Sequence, residues 1–142
     1  MKTAKDKFKI LIADDFDTMI KIIKNILDDL GYHNIITARN GEVAWEILNN
    51  KKIDFIISDW NMPEMTGIEL LRMVKNANSG LAHIPFLMVT AEAEKSHIMD
   101  AVKAGVNQYI IKPFTSDMLK EKIDNAIHHQ EKILAKKKAD SA

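Results

Sequence analysis

The sequence predicts an α/β fold: a single doubly wound parallel sheet of five strands, covered by helices on both faces. Three observations carry that reading. Apolar runs of strand length alternate five times with segments of helical apolar spacing. The strand-length runs are apolar throughout instead of alternating with polar residues, as befits strands buried on both faces. The chain has 142 residues, enough for one domain with a real core, and shows no internal repeat or interdomain linker.

Taken in order, Phe8 to Ala13 is the first predicted strand. The period then changes: Met19, Ile22, Ile23, Ile26, Leu27 and Leu30 share one helical face, with Lys21, Lys24 and Asp28 on the other. Asp17 stands where the N-cap is expected and Gly31 where the helix stops. Ile35 to Ala38 is a short second strand, and Asn40-Gly41 precedes a helix built on Val43, Ala44, Ile47 and Leu48. Phe55 to Ile57 is the third strand. Thr66-Gly67-Ile68-Glu69 has the spacing of a capping box, followed by Leu70, Leu71 and Val74. Asn76 to His83 is a polar loop, and Ile84 to Val89 the fourth strand, with Pro85 near its start, where proline is tolerated. Ile98, Ala101 and Val102 mark a fourth helix that Gly105 ends; Gln108 to Ile111 is the fifth strand. Thr115 caps a last helix through Leu119, Ile123, Ala126 and Ile127, and Ile133 and Leu134 keep its spacing. The expected division is a domain over residues 7–130, then a helical extension over 131–142 whose basic end, from Lys136, frays.

Composition bounds the function classes. A formal net charge of +0 gives no basis for a nucleic-acid partner. With no cysteine, thiolate metal sites and disulfides are excluded. The charged N-terminus precedes no apolar signal core, and no apolar run is long enough for membrane insertion, so a cytoplasmic location is expected.

The chemistry lies at the strand ends. Ile10-Leu11-Ile12-Ala13 ends in Asp14-Asp15, Phe55-Ile56-Ile57-Ser58 in Asp59, Phe86-Leu87-Met88-Val89 in Thr90, and Tyr109-Ile110-Ile111 in Lys112. In a doubly wound sheet ligands bind outside the carboxyl ends of the strands, so these residues should converge on one edge. Carboxylates about 4 Å apart repel by roughly 1 kcal/mol per pair in water and about 4 at an effective dielectric of 20. A cation or bound protons must relieve that repulsion. Oxygen ligands without His or Cys point to Mg²⁺ or another hard divalent ion. An Asp beside a metal, a Lys and a hydroxyl is equipped to attack phosphorus and form an acyl phosphate.

These motifs resemble the receiver domains of two-component systems. Asp14-Asp15, Ser58-Asp59-Trp60-Asn61-Met62-Pro63, Met88-Val89-Thr90-Ala91-Glu92-Ala93, Tyr109 and Lys112-Pro113-Phe114 carry the likeness, which runs from about residue 7 to about residue 127. Within the family the chain is similar to the single-domain chemotaxis regulators. The resemblance implies a flavodoxin-like (βα)5 fold with strand order 2-1-3-4-5, an order the pattern alone does not supply. It implies that Asp59 accepts a phosphoryl group from a CheA-like sensor histidine kinase, and that Asp15, Asp59 and the backbone carbonyl of Asn61 bind Mg²⁺, with Asp14 acting largely through water. Lys112 would pair with the phosphoryl oxygens, Thr90 would move its hydroxyl toward them, and Tyr109 would turn inward. Asn61 and Glu92 would border the path of the hydrolytic water. A cis Lys112–Pro113 peptide is likewise implied. The output face would comprise Lys95, Ile98, Tyr109, Ile111, Leu119 and Lys122. It would be read as a monomer by a flagellar motor switch protein, and a phosphatase would be a further partner.

Some residues depart from the pattern or invite simpler readings. The chemotaxis pattern has Ser and Arg where Asp17 and Ile20 stand, which opens an alternative output as a phosphate sink or regulator of another target. Asp15-Phe16-Asp17-Thr18-Met19 approaches the motif of aspartyl-phosphate phosphohydrolases, but Met19 breaks it and no cap domain fits this length. A receiver-like docking domain that is never phosphorylated would have lost an acidic, Thr or Lys position, and none is lost. His128-His129 reads as surface, while His33, His83 and His97 are scattered with no carboxylate at ligand spacing. The eight Met residues read as core and interface filler.

Overall fold

A computed structural model describes residues 3–140. Its elements are α1 (Ala4–Lys7), β1 (Lys9–Ala13), α2 (Asp17–Asp29), β2 (Asn34–Ala38), α3 (Gly41–Asn50), β3 (Phe55–Ser58), α4 (Gly67–Lys75), a 3-10 turn (Gly80–His83), β4 (Phe86–Thr90), α5 (Lys95–Lys103), β5 (Gln108–Ile111) and α6 (Ser116–Asp140). The strands form one sheet in the order β2-β1-β3-β4-β5, all neighbours parallel.

Successive residues of a strand face opposite sides, so a strand buried on both sides must be apolar at every position. Leu11, Ile56, Phe86 and Met88 pack on one face with Ala44, Leu48, Leu71, Val74 and Ala101 of α3, α4 and α5. Ile10, Ile12, Phe55, Ile57, Leu87 and Val89 pack on the other with Ile23, Leu27, Leu119 and Ile123 of α2 and α6.

Capping follows the sequence in most places. Asn40 accepts the Val43 N–H at 2.8 Å, Thr66 and Glu69 form the reciprocal capping box, and Thr115 Oγ1 accepts the Met118 N–H at 3.2 Å. Gly31 and Gly105 end their helices at φ of 96° and 94°, the left-handed region that glycine enters without strain.

The structure corrects several expectations. Phe16, not Asp17, is the N-cap of α2 and makes no side-chain cap bond. Asp17 lies in the first turn, paired with Arg39 at 2.9 Å, where its charge still suits the helix dipole. The polar loop contains the 3-10 turn, and β4 starts at Phe86 because Pro85 has no N–H for the ladder. α1, unforeseen, is closed by a capping box between Thr3 and Asp6. α6 runs unbroken through Lys136–Lys138 to Asp140 where fraying was expected; its last ten described residues hold no Gly or Pro to stop it. Of the tail expected to fray, Ser141 and Ala142 lie outside the described residues.

Candidate functional site

Strand ends build the site. The Asp14 N–H donates to Ala38 O at 3.0 Å, the Asp59 N–H to Ala13 O at 2.9 Å and the Lys112 N–H to Thr90 O at 2.9 Å. The ladder thus continues one residue past β1, β3 and β5 and fixes the backbone from which each side chain leaves. Asp14, Asp15 and Asp59 offer carboxylate oxygens that all lie within 4.8 Å of one another. Lys112 Nζ stands 3.4 Å from Asp14 Oδ2 and 3.5 Å from Asp59 Oδ2. Thr90, the last residue of β4, is fully buried at the same edge of the sheet.

Burial pushes the Asp14 carboxyl above its usual range, with the Asp59 charge adding to the shift; the Phe16 N–H and Lys112 oppose it. A buried carboxylate drawn toward protonation is what a cation would relieve. One ammonium leaves the trio two negative charges in excess when all three acids ionise. The donors are hard oxygens, so a divalent ion such as Mg²⁺ fits the residues present.

The remaining predicted residues form a chain leading away from Asp59. Trp60 N–H donates to Asp59 Oδ1 at 2.7 Å. Asn61, exposed, turns its Nδ2 to Glu92 Oε1 at 2.7 Å. The Glu92 N–H donates to Thr90 Oγ1 at 3.2 Å, and Tyr109 Oη–H donates to the Glu92 carbonyl at 2.5 Å. Burial, then the charges of Glu92 and Asp59, push the Tyr109 phenol up to about 12, so it stays a neutral donor. The Lys112–Pro113 peptide is cis.

Lys95 is exposed at the start of α5, Ile98 and Tyr109 are half-buried, Ile111 is exposed, and Lys122 reaches Gln108 Oε1 at 3.4 Å. Leu119 does not belong to that face. It is 0% exposed, in the core between α6 and the sheet, because Leu119, Ile123 and Ala126 form the inward stripe of α6. Met118, one residue earlier, is exposed.

Two supporting residues escaped the sequence reading. Gly67 N–H donates to Trp60 O at 2.8 Å, and a Cβ there would lie 1.9 Å from the Asp59 carbonyl oxygen. The glycine in the capping box was the available signal. His97 lies edge-on to Trp60 at 5.1 Å between ring centroids and 87° between planes, with Nδ1 3.5 Å from Glu92 Oε2 and 3.7 Å from Glu94 Oε2. The sequence sets His97 among scattered histidines with no carboxylate at ligand spacing; the fold brings both Glu92 and Glu94 to its Nδ1.

A parallel five-stranded sheet carrying an acidic trio, a lysine and a buried threonine at one edge is the architecture of a receiver domain. The chain belongs to the response regulator receiver domain family, whose pattern matches residues 10–124. It is 55% identical over 116 residues to the chemotaxis protein CheY of Pseudomonas aeruginosa, covering 82% of this chain and 93% of that one. It is 52% identical over 116 residues to CheY-3 of Vibrio cholerae, covering 82% and 88%. Among solved structures it is similar to the receiver domain of a sensor histidine kinase from Pseudomonas aeruginosa, with a TM-score of 0.76 and 25% identity over 85% of this chain and 98% of that one. That structure has a magnesium ion coordinated in its active-site cleft.

Proposed function

We propose that this chain is a phosphorylation-switched regulator of chemotaxis that accepts a phosphoryl group on Asp59 from a histidine kinase. The carrying observation is Lys112 Nζ within 3.4 and 3.5 Å of Asp14 and Asp59 while Asp15 completes the trio. An Asp59 carboxylate oxygen attacks phosphorus; the O–P bond forms as the N–P bond of the kinase phosphohistidine breaks, and the pair of electrons leaves with the imidazole. Lys112 offsets charge on the phosphoryl oxygens. Asp15, Asp59 and the Asn61 carbonyl, with Asp14 beside them, would hold a Mg²⁺, which would supply further charge compensation for the phosphoryl oxygens.

The signal leaves through Glu92. Its N–H rests on the Thr90 hydroxyl and its carbonyl on Tyr109, so a Thr90 drawn to a phosphoryl group disturbs both bonds. The face formed by Lys95, Ile98, Tyr109, Ile111 and Lys122 then binds a short amphipathic segment of a flagellar motor switch protein. A tenfold preference for the phosphorylated form requires about 1.4 kcal/mol of differential affinity. A phosphatase is a further partner, the working form is a monomer, and the place of action is the cytoplasm. No helix among the described residues is long and apolar enough to cross a membrane. Residues 7–130 act as the receiver unit, with 131–142 as its extension.

Acetyl phosphate with Mg²⁺ tests the chemistry: one phosphoryl group should map to Asp59 by mass spectrometry. Full labelling of Asp59→Ala at the wild-type rate would reject the assignment. Calorimetry of a motor-switch peptide against the beryllofluoride-activated chain tests the output. No binding in that state would favour the phosphate sink, the reading to which Ile20 and the long α6 also point.

A further inference from the structure

We propose that His97 is a positioning residue that sets the lifetime of the phosphoryl group on Asp59 by holding Glu92 across the gap to Asn61. The inference rests on the phosphoacceptor reading above and adds a residue to it.

Glu92 is the junction of the loop between β4 and α5. Its backbone is committed at both ends, N–H to Thr90 and carbonyl to Tyr109. That leaves the carboxylate as its adjustable part. Oε1 accepts from Asn61 Nδ2 at 2.7 Å, which ties this loop to the one after β3, two residues beyond the acceptor. Oε2 faces His97 Nδ1 at 3.5 Å. Asn61 bonds one oxygen of the carboxylate and His97 faces the other, so the two do not compete for it.

His97 is well placed to serve as that second anchor. It sits in the first turn of α5, so its backbone is fixed by the helix. Its ring meets Trp60 edge to face, an arrangement aromatic pairs favour, and Trp60 is itself buried and bonded to Asp59 Oδ1. Nδ1 is shielded from water and makes no hydrogen bond, with carboxylate oxygens of Glu92 and Glu94 as its polar neighbours. A shielded nitrogen carrying a proton is drawn to those oxygens, and Glu92 Oε2 is the nearer.

The consequence falls on hydrolysis. Water adds its oxygen to phosphorus as the bond from phosphorus to the Asp59 oxygen breaks; the products are the Asp59 carboxylate, inorganic phosphate and a proton released to solvent. Asn61 and Glu92, bridged, form a strap between two loops beside the acceptor and narrow the approach of that water. Without His97 the Glu92 carboxylate has one anchor in place of two, the strap loosens, and water enters more often.

The test follows loss of label from Asp59 after acetyl phosphate is removed, each decay starting from its own measured labelled fraction. His97→Ala should shorten the half-life at least threefold, and His97→Gln, which restores a donor to Glu92, should recover most of it. In a Glu92→Ala background His97→Ala should change nothing further. An unchanged or longer half-life in His97→Ala, or the same shortening in the Glu92→Ala background, would overturn the inference. So would failure of Gln to do better than Ala in chains with equal melting temperature. Absence of label on wild-type Asp59 would instead reject the phosphoacceptor reading, which keeps the two failures apart.

Discussion

A Cβ at position 67 would meet the Asp59 carbonyl carbon at 2.8 Å and the Trp60 Cα at 3.0 Å, besides the oxygen at 1.9 Å. These are backbone atoms of the loop that follows β3 and cannot rotate aside. Gly67→Ala should therefore displace Asp59 itself, with a cost of about 1–3 kcal/mol in urea unfolding, the range of an overpacked interior. Mg²⁺ affinity read from Trp60 fluorescence should weaken with it; Trp45 must be replaced by Phe for that reading. In the same background Asp15→Asn should lower Mg²⁺ affinity at least tenfold, and an unchanged affinity would place the ion elsewhere. Because burial raises the Asp14 carboxyl, protons compete with the metal at higher pH than an ordinary carboxylate would allow. Affinity should fall as pH falls through that raised range, and Asp14→Asn should flatten the dependence. The acids, Thr90 and Lys112 were legible because each ends an apolar run. Gly67 and His97 were not, since their importance comes from atoms that only folding brings near.

At the level of elements, one period explains both what the sequence revealed and what it concealed. Central strands apolar at nearly every position and helices with a stripe at i, i+3 and i+4 define the two cores; the edge strand β2, with Asn34 and an exposed Thr37, is the least apolar. Boundaries depend on single backbone groups: Pro85 lacks the N–H that would start β4 earlier, and the backbone places Phe16 outside α2 although Asp17 has the better capping side chain. The output face shows the same limit, because Leu119 was assigned outward although its own stripe, with Ile123 and Ala126, points inward. Leu119→Ala should cost about 2–5 kcal/mol of stability, as other buried leucines do. Met118→Ala, on the exposed side, should stay within about 0.5 kcal/mol while weakening any partner that reads this face. Urea unfolding of the two variants side by side decides the orientation of α6. Equal losses would mean that the helix is rotated from the position described.

Across the whole molecule, the site edge has a counterpart toward the other end of the sheet, where Lys75 at the end of α4 donates to Ile84 O at 3.0 Å, Asn107 Oδ1 at 2.8 Å and Gln130 Oε1 at 3.2 Å. Asn107 Oδ1 also accepts the Phe86 N–H, and its Nδ2 donates to Gln130 Oε1. The node ties α4, the start of β4, the turn before β5 and the late part of α6. Its partners lie up to 55 residues apart in sequence, so no local pattern announces it. It also gives the extension of α6 a physical anchor in the buried Gln130. Burial, with the Lys137 charge second, lowers the Lys75 ammonium from 10.5 to about 8. The folded chain then releases this proton near pH 8 and the unfolded chain near 10.5, so between those values the unfolded state binds more protons and stability rises with pH. The contribution is complete above 10.5 and is lost as pH falls through 8. Groups that titrate in the same window are common to wild type and Lys75→Met, so the difference between the two isolates this lysine. From pH 8 to 10 the unfolding free energy of wild type should climb relative to Lys75→Met, by no more than about 1.4 kcal/mol per pH unit. Parallel curves would show that Lys75 keeps its water and that Gln130 holds α6 without it.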